Sequence, residues 1–264
     1  MVKLIKFVAI ALSISSLFLL SSPEVVLAAK PSNSKTTQAL TGNDVSWPQC
    51  GKSLPSGQLF GIVGVNDGVA NTTNPCFNTE LAWANNSLGT TAQGKVALYV
   101  NTANPGNLGV ADWPTSGYSS QYGYCYGGDD QACAYVYGWT EAELDAQTRI
   151  GSNSPLNYKW WLDVETTNSW ETNKANNDAD LTGMVDFFKS IGVQVGIYST
   201  SYQWGVIAGT VSSTSSLYGL DSWLPGSRTL SAAEAACSSA GLSGGKTTLT
   251  QYVSGRLDYD YSCV

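Results

Sequence analysis

Short apolar runs rich in β-branched and aromatic residues alternate along this chain with stretches whose apolar residues recur at helical spacing. The strand-like runs are 43–47, 59–66, 95–101, 159–165, 193–199, 219–224 and 247–253. Between them Asn78 to Leu88, Thr140 to Ile150, Asp178 to Ile191 and Ser231 to Ala240 read as helices. Strand, helix, strand order implies a parallel sheet, and one sheet long enough to use the available residues closes into a barrel. The expected fold is therefore a single-domain α/β barrel of the (β/α) type, spanning 42–264.

The segments before it have other signatures. Lys3 and Lys6, an apolar run from Phe7 to Leu20 and Val26-Leu27-Ala28 have the form of a secretory signal over 1–28. The run is short of the ~20 apolar residues that a spanning helix needs, so no stable membrane anchor is expected after cleavage. Residues 29–41, mostly Lys, Pro, Ser, Asn and Thr, bury little and read as a disordered spacer. The mature protein is expected to be exported to the extracellular space or cell wall and to act as a monomer.

The six cysteines of an exported chain are expected in disulfides. Their number leaves the connectivity open. Pairing neighbours, Cys50 with Cys76, Cys125 with Cys133 and Cys237 with Cys263, staples three local loops. The close pair Cys125 and Cys133 lies in a Gly-, Tyr- and Ser-rich stretch, 102–138, that interrupts the barrel pattern and reads as a stapled insert.

Charge and composition exclude several function classes. Thirteen Lys and Arg against twenty Asp and Glu give a formal charge of -7, with no basic surface to displace counterions from nucleic acid. The chain has no histidine, which removes imidazole-dependent nucleophile triads and the usual His-ligated metal sites. No metal or cofactor is expected. Carboxylates remain as the chemistry-bearing groups.

Their clearest grouping is Trp160-Trp161-Leu162-Asp163-Val164-Glu165, an apolar strand ending in two acids. Residues i and i+2 of a strand share a face, with Cα atoms about 6.6 Å apart. With Leu162 and Val164 turned out toward helices, Asp163 and Glu165 face the barrel mouth together. Two carboxyls so close do not both ionise freely, so one of them can hold a proton as a general acid. Glycoside hydrolysis needs that asymmetry, one acid to protonate the leaving oxygen and one carboxylate to support a cationic centre. Asp44, alternating with Val45 in the first strand, and Asp258 or Asp260 near the chain end are further candidates for the same pocket. Tyr99, Trp161, Trp170, Tyr198, Trp204 and Tyr252 lie at or just past strand ends, where flat rings suit sugars; only some of them are expected to line a groove.

Taken in order, these runs resemble the glycoside hydrolase family 25 lysozymes over nearly the whole mature domain. Asp44-Val45-Ser46 is similar to the family's first-strand D-V-S, Leu162-Asp163-Val164-Glu165 to its L-D-x-E, Tyr198-Ser199 to its fifth-strand signature, Gln251-Tyr252 to its Q-Y and Asp260-Tyr261-Ser262 to its final D-x-N. Asp67 stands where the second strand normally carries glutamate. The chain departs from the family at Tyr99-Val100, where a Y-H is usual, and at Gly64, which replaces a basic residue. The resemblance implies an irregular barrel with fewer helices than strands, Glu165 as the catalytic acid, Asp163 assisting the substrate's N-acetyl group or developing charge, and Asp44 and Asp260 as polar pocket members. It further implies cleavage of peptidoglycan between N-acetylmuramic acid and N-acetylglucosamine. A glycosidase acting on another polysaccharide, and a glycan-binding barrel without catalysis, share these residues and stay open at this stage.

Overall fold

The structure, a computed structural model, describes residues 40–264 apart from 109 and 110. The proposed signal segment, and the spacer up to residue 39, lie outside the described residues. Eight strands form a closed barrel. In chain order these are β1 (Thr41–Val45), β2 (Gly61–Gly64), β3 (Val96–Asn101), β6 (Lys159–Asp163), β7 (Val195–Tyr198), β8 (Asp221–Ser227), β9 (Thr247–Ser254) and β10 (Leu257–Ser262). Two short strands, β4 (Gly117–Ser119) and β5 (Gly123–Cys125), make a separate hairpin. β1 takes in Thr41, which composition had given to the spacer.

Around the barrel the order is β1, β10, β9, β8, β7, β6, β3, β2. Neighbours are parallel from β1 through β2, β3, β6, β7 and β8 to β9. The expectation of a wholly parallel sheet fails at the end of the chain. There β9 turns back through Gly255 into β10, which pairs antiparallel with both β9 and β1 and closes the barrel. A hairpin does this without a crossover helix because antiparallel neighbours can be joined by a tight turn.

Among the described residues five α-helices pack outside: α1 (Phe77–Asn85), α2 (Gln131–Leu144), α3 (Lys174–Ser190), α4 (Ser201–Ile207) and α5 (Leu230–Ala236). Asp130, Asn173, Thr200 and Thr229 start the last four by accepting hydrogen bonds from backbone N–H groups of the first turn. α2 begins nine residues before the expected Thr140 and runs into a π-turn, Asp145–Arg149. The stretch 102–138 is thus no simple loop: it carries the β4–β5 hairpin and the first half of a core helix. α4 was not expected at all.

Period-two alternation sorts every barrel strand. Val63, Leu98, Val100, Trp160, Leu162, Val195 and Ile197 face the helices in one cluster with Phe187, Phe188 and Leu181. Ile62, Ala97, Trp161, Trp223 and Leu249 fill the barrel interior, with Tyr99 and Tyr198 packed above them. The disulfides are Cys50–Cys76, Cys125–Cys133 and Cys237–Cys263, with Cα–Cα distances of 5.6, 4.6 and 5.4 Å. Among the described residues no helix is long and apolar enough to cross a membrane.

Candidate active site

A cleft of about 150 Å³ opens where the parallel strands end, lined by Asp44, Tyr99, Asp163, Glu165, Tyr198, Trp223, Gln251 and Asp258. Every one is an inward position of its strand, or continues one. Asp163 is the last residue of β6, and Glu165, two further on, extends the same face onto the rim.

The hydrogen bonds form two sets. On one wall Asn101, directly opposite Asp163 in the β3–β6 register, donates from Nδ2 to Asp163 Oδ2 at 2.7 Å. Asn101 is held in turn by its backbone N–H, which donates to Asn66 Oδ1 at 2.8 Å, while Asn66 donates to Asp145 Oδ1 at 3.0 Å. On the other wall Tyr198 donates its hydroxyl to Gln251 Oε1 at 3.0 Å, and Gln251 Nε2 donates to Asp44 Oδ2 at 2.9 Å. Glu165 Oε1 accepts from Gln203 Nε2 at 3.2 Å, and Trp170 fixes the backbone beneath it by donating to the Glu165 carbonyl at 2.8 Å.

Among the described residues no Lys or Arg lines the cleft. Burial raises Asp163 well above the ordinary carboxylate range, and the neighbouring charges of Glu165 and Asp44 push the same way against the Asn101 bond. Asp44 is raised to about 7 by burial and by Asp258. Asp260 lies fully buried in the floor beside Asp44 and is raised well above its usual value by burial, then by Asp44. Burial first, and then the neighbouring acids, thus favour the protonated form of Asp163. Asp163 Oδ1 has no hydrogen-bond partner among the described residues.

Of the residues expected in a pocket, the structure brings together Glu165, Asp163, Asp44, Tyr99 and Tyr198. Asp258 lines the wall and Asp260 lies beneath it. Three do not converge. Asp67 is exposed beyond the end of β2, where its backbone N–H meets Thr72. Trp204 is buried in the barrel–helix layer because α4 turns it inward. Tyr252, one residue past the inward Gln251, faces out and stacks on Tyr259 at 5.3 Å. The departure at Gly64 has a steric reason. A side chain there would collide with Ser46 and the Tyr99 ring, so the space of a basic residue is already taken.

Sequence reasoning missed Asn101, Gln203 and Trp223 and passed over Gln251 for its neighbour. Counting inward positions by twos from Ala97, Leu249 and Asp221 would have reached Asn101, Gln251 and Trp223; Gln203 comes from a helix that had no visible signal. Trp223 packs edge-on against Tyr198 at 4.4 Å and Trp161 at 5.8 Å, forming the aromatic base of the cleft.

A family model described as Lysozyme-like protein 1 matches residues 146–224, which carry both Asp163 and Glu165. In solved structures the same architecture recurs in a muramidase from Trichobolus zukalii, with a TM-score of 0.52 and 19% identity over 85% of this chain and 93% of that one. The barrel shares its fold with that muramidase. A family GH25 lysozyme from Aspergillus fumigatus has a TM-score of 0.51 at 14% identity over 85% of this chain and 94% of its own. The bacterial lysozyme from Streptomyces coelicolor has a TM-score of 0.50 at 14% over 86% and 93%. At these identities the likeness is one of fold. Lysozyme-like protein 5 of Caenorhabditis elegans is 39% identical over 88 residues, 33% of this chain, and the match spans 39% of that relative.

Proposed function

We propose that this lysozyme-like barrel is a secreted glycoside hydrolase that cuts peptidoglycan glycan strands as a muramidase. The observation that carries the reading is the Asp163–Glu165 pair, two carboxyls on one strand face at the mouth of an aromatic-based cleft. Its fold likeness to muramidases supports the substrate, and three disulfides suit an oxidising compartment.

Asp163, raised by burial, holds a proton at rest. Glu165 sits higher, half-buried at the lip, where it can reach a glycosidic oxygen. A sugar seated on Trp223 and Tyr198 strips water from that lip and draws the proton toward Glu165, which delivers it to the leaving oxygen as the bond breaks. Asp163, then anionic and oriented by Asn101, supports the positive charge at the anomeric carbon or the N-acetyl group that engages it. Asp44, steadied by Gln251, is a polar wall for the same sugar.

The test is clearing of purified cell walls together with identification of the new reducing end. Wild type should release N-acetylmuramic acid ends. Glu165→Gln keeps the shape but cannot donate a proton, so turnover should fall roughly 10²- to 10⁴-fold while glycan binding persists. Asp163→Asn should be comparably damaging, and the double variant no worse than either, because both disable one step. Equal clearing by wild type and Glu165→Gln would remove Glu165 from the mechanism; binding without any new reducing end would make the protein a glycan-binding barrel.

A further inference from the structure

The β4–β5 hairpin has two unlike faces. Ser119 and Cys125 point into the protein, with Cys125 tied to Cys133 of α2 and Gly117 set against Val136 of the same helix. The opposite face carries Tyr118 and Tyr124, cross-strand partners in register, and Tyr126, two residues further on, extends it. These three side chains are 60%, 64% and 82% exposed, against a buried Trp113 and Tyr137 in the cluster beneath them. Their rings form a row, Tyr118 to Tyr124 at 4.8 Å and Tyr124 to Tyr126 at 6.1 Å, the latter two nearly parallel.

Three aromatic rings held in water on a rigid support mark a binding surface. Its chemistry narrows the ligand. Residues 114–128 contain no charged side chain and no Val, Leu, Ile, Met or Phe. A polyanion or a lipid headgroup therefore finds no cation, and a protein partner's aliphatic anchors find no matching pocket. Flat rings with hydroxyls at their edges fit the C–H faces and hydroxyl groups of sugars. We propose that the Tyr118–Tyr124–Tyr126 face is a second glycan-binding platform, which holds a polysaccharide strand by ring stacking away from the cleft. The hairpin lies in the segment after β3 and packs on α2, and none of its tyrosines lines the cleft. The inference rests on the glycan-acting reading of the barrel and adds a second hold on the same polymer, which raises local concentration without changing the bond-breaking site.

The experiment is co-sedimentation of the mature protein with insoluble peptidoglycan sacculi freed of teichoic acid, and with chitin, alongside hydrolysis of a short soluble muropeptide-free glycan. Tyr118→Ala/Tyr124→Ala/Tyr126→Ala should weaken binding to the insoluble polymers by at least about tenfold, since each stacked ring contributes a modest free energy. Tyr118→Phe/Tyr124→Phe/Tyr126→Phe should keep most of the binding, and hydrolysis of the soluble glycan should be unchanged in both. Single Tyr126→Ala, at the most exposed ring, answers the question if the triple variant does not fold. Unaltered sedimentation of the alanine variant, no binding by wild type to either polymer, or a wild-type dimer that the alanine variant turns into a monomer would overturn the proposal. Absence of new reducing ends would count against the hydrolase reading alone and leave the sedimentation result standing.

Discussion

Asp163 is the residue on which the cleft's electrostatics turn, and a neutral amide controls it. The Asn101 bond favours the charged form of Asp163 while burial, Glu165 and Asp44 oppose it. Removing that donor with Asn101→Ala should raise Asp163 further, because the bond favours the charged form. The alkaline limb of kcat/KM should then move to higher pH. A loss of activity with an unmoved limb would make Asn101 a packing residue only. The chain's acids were legible because D-x-E at a strand end is a local pattern; Asn101 was not, because its value lies in standing opposite Asp163 in β6, and register is written in no single segment. Trp204 and Tyr252 were misjudged for the complementary reason. Both lie close to a strand end in sequence, yet helix phase turns one into the core and strand alternation turns the other outward.

At the level of elements, α2 shows why a glycine can conceal a helix. Gly138 looks like a break, and the expected helix began after it; in the structure it is the point where α2 crosses α3. An added Cβ at Gly138 would run into the Asp180 carbonyl, and one at Gly183 into the Tyr135 carbonyl. The crossing is therefore backbone to backbone, and Gly138→Ala should separate the helices at a cost of about 1–3 kcal/mol or more, despite alanine's better helix propensity. Urea unfolding checks this, and a stabilised variant would refute it. At the end of α2, Arg149 meets Glu141 and Asp145, both at 2.8 Å and all three nearly inaccessible. Arg149→Met leaves two buried carboxyls without their cation and should cost about 3–5 kcal/mol at neutral pH. Burial already raises Glu141, so the defect should shrink as the pH falls and the carboxyl takes a proton. The same Asp145 holds Asn66, so stability and the placement of Asn101 should fail together.

Over the whole molecule, the barrel was legible because six parallel neighbours follow from alternating strands and helices, whereas the closing β10 was not, since a hairpin return carries no crossover to announce it. That closure sets Asp258 and Asp260 of β10 beside Asp44 of β1, with Asp163 across the cleft, and so gathers carboxyls in a barrel mouth without a cation. The consequence reaches global stability. Asp44 has its ordinary value near 3.8 when unfolded and about 7 when folded, and Asp163, Asp260 and the helix-buried Asp180 are also raised well above that ordinary value, all chiefly by burial. Below 3.8 both states are protonated, and the stability linked to these groups is fully present. Between 3.8 and about 7 the folded protein keeps protons that the unfolded chain releases, so unfolding is increasingly favoured as pH rises. Each such proton is worth about 1.4 kcal/mol per pH unit, or roughly 3–5 °C in a domain of this size. Calorimetry of the mature domain should therefore show Tm falling by at least about 5 °C from pH 4.5 to 7.5. Asp44→Asn, which mimics the protonated side chain, should flatten part of that slope without lowering Tm at pH 7.5. A Tm that climbs over this interval, or a slope identical in Asp44→Asn, would mean that these carboxyls are ionised in the native barrel.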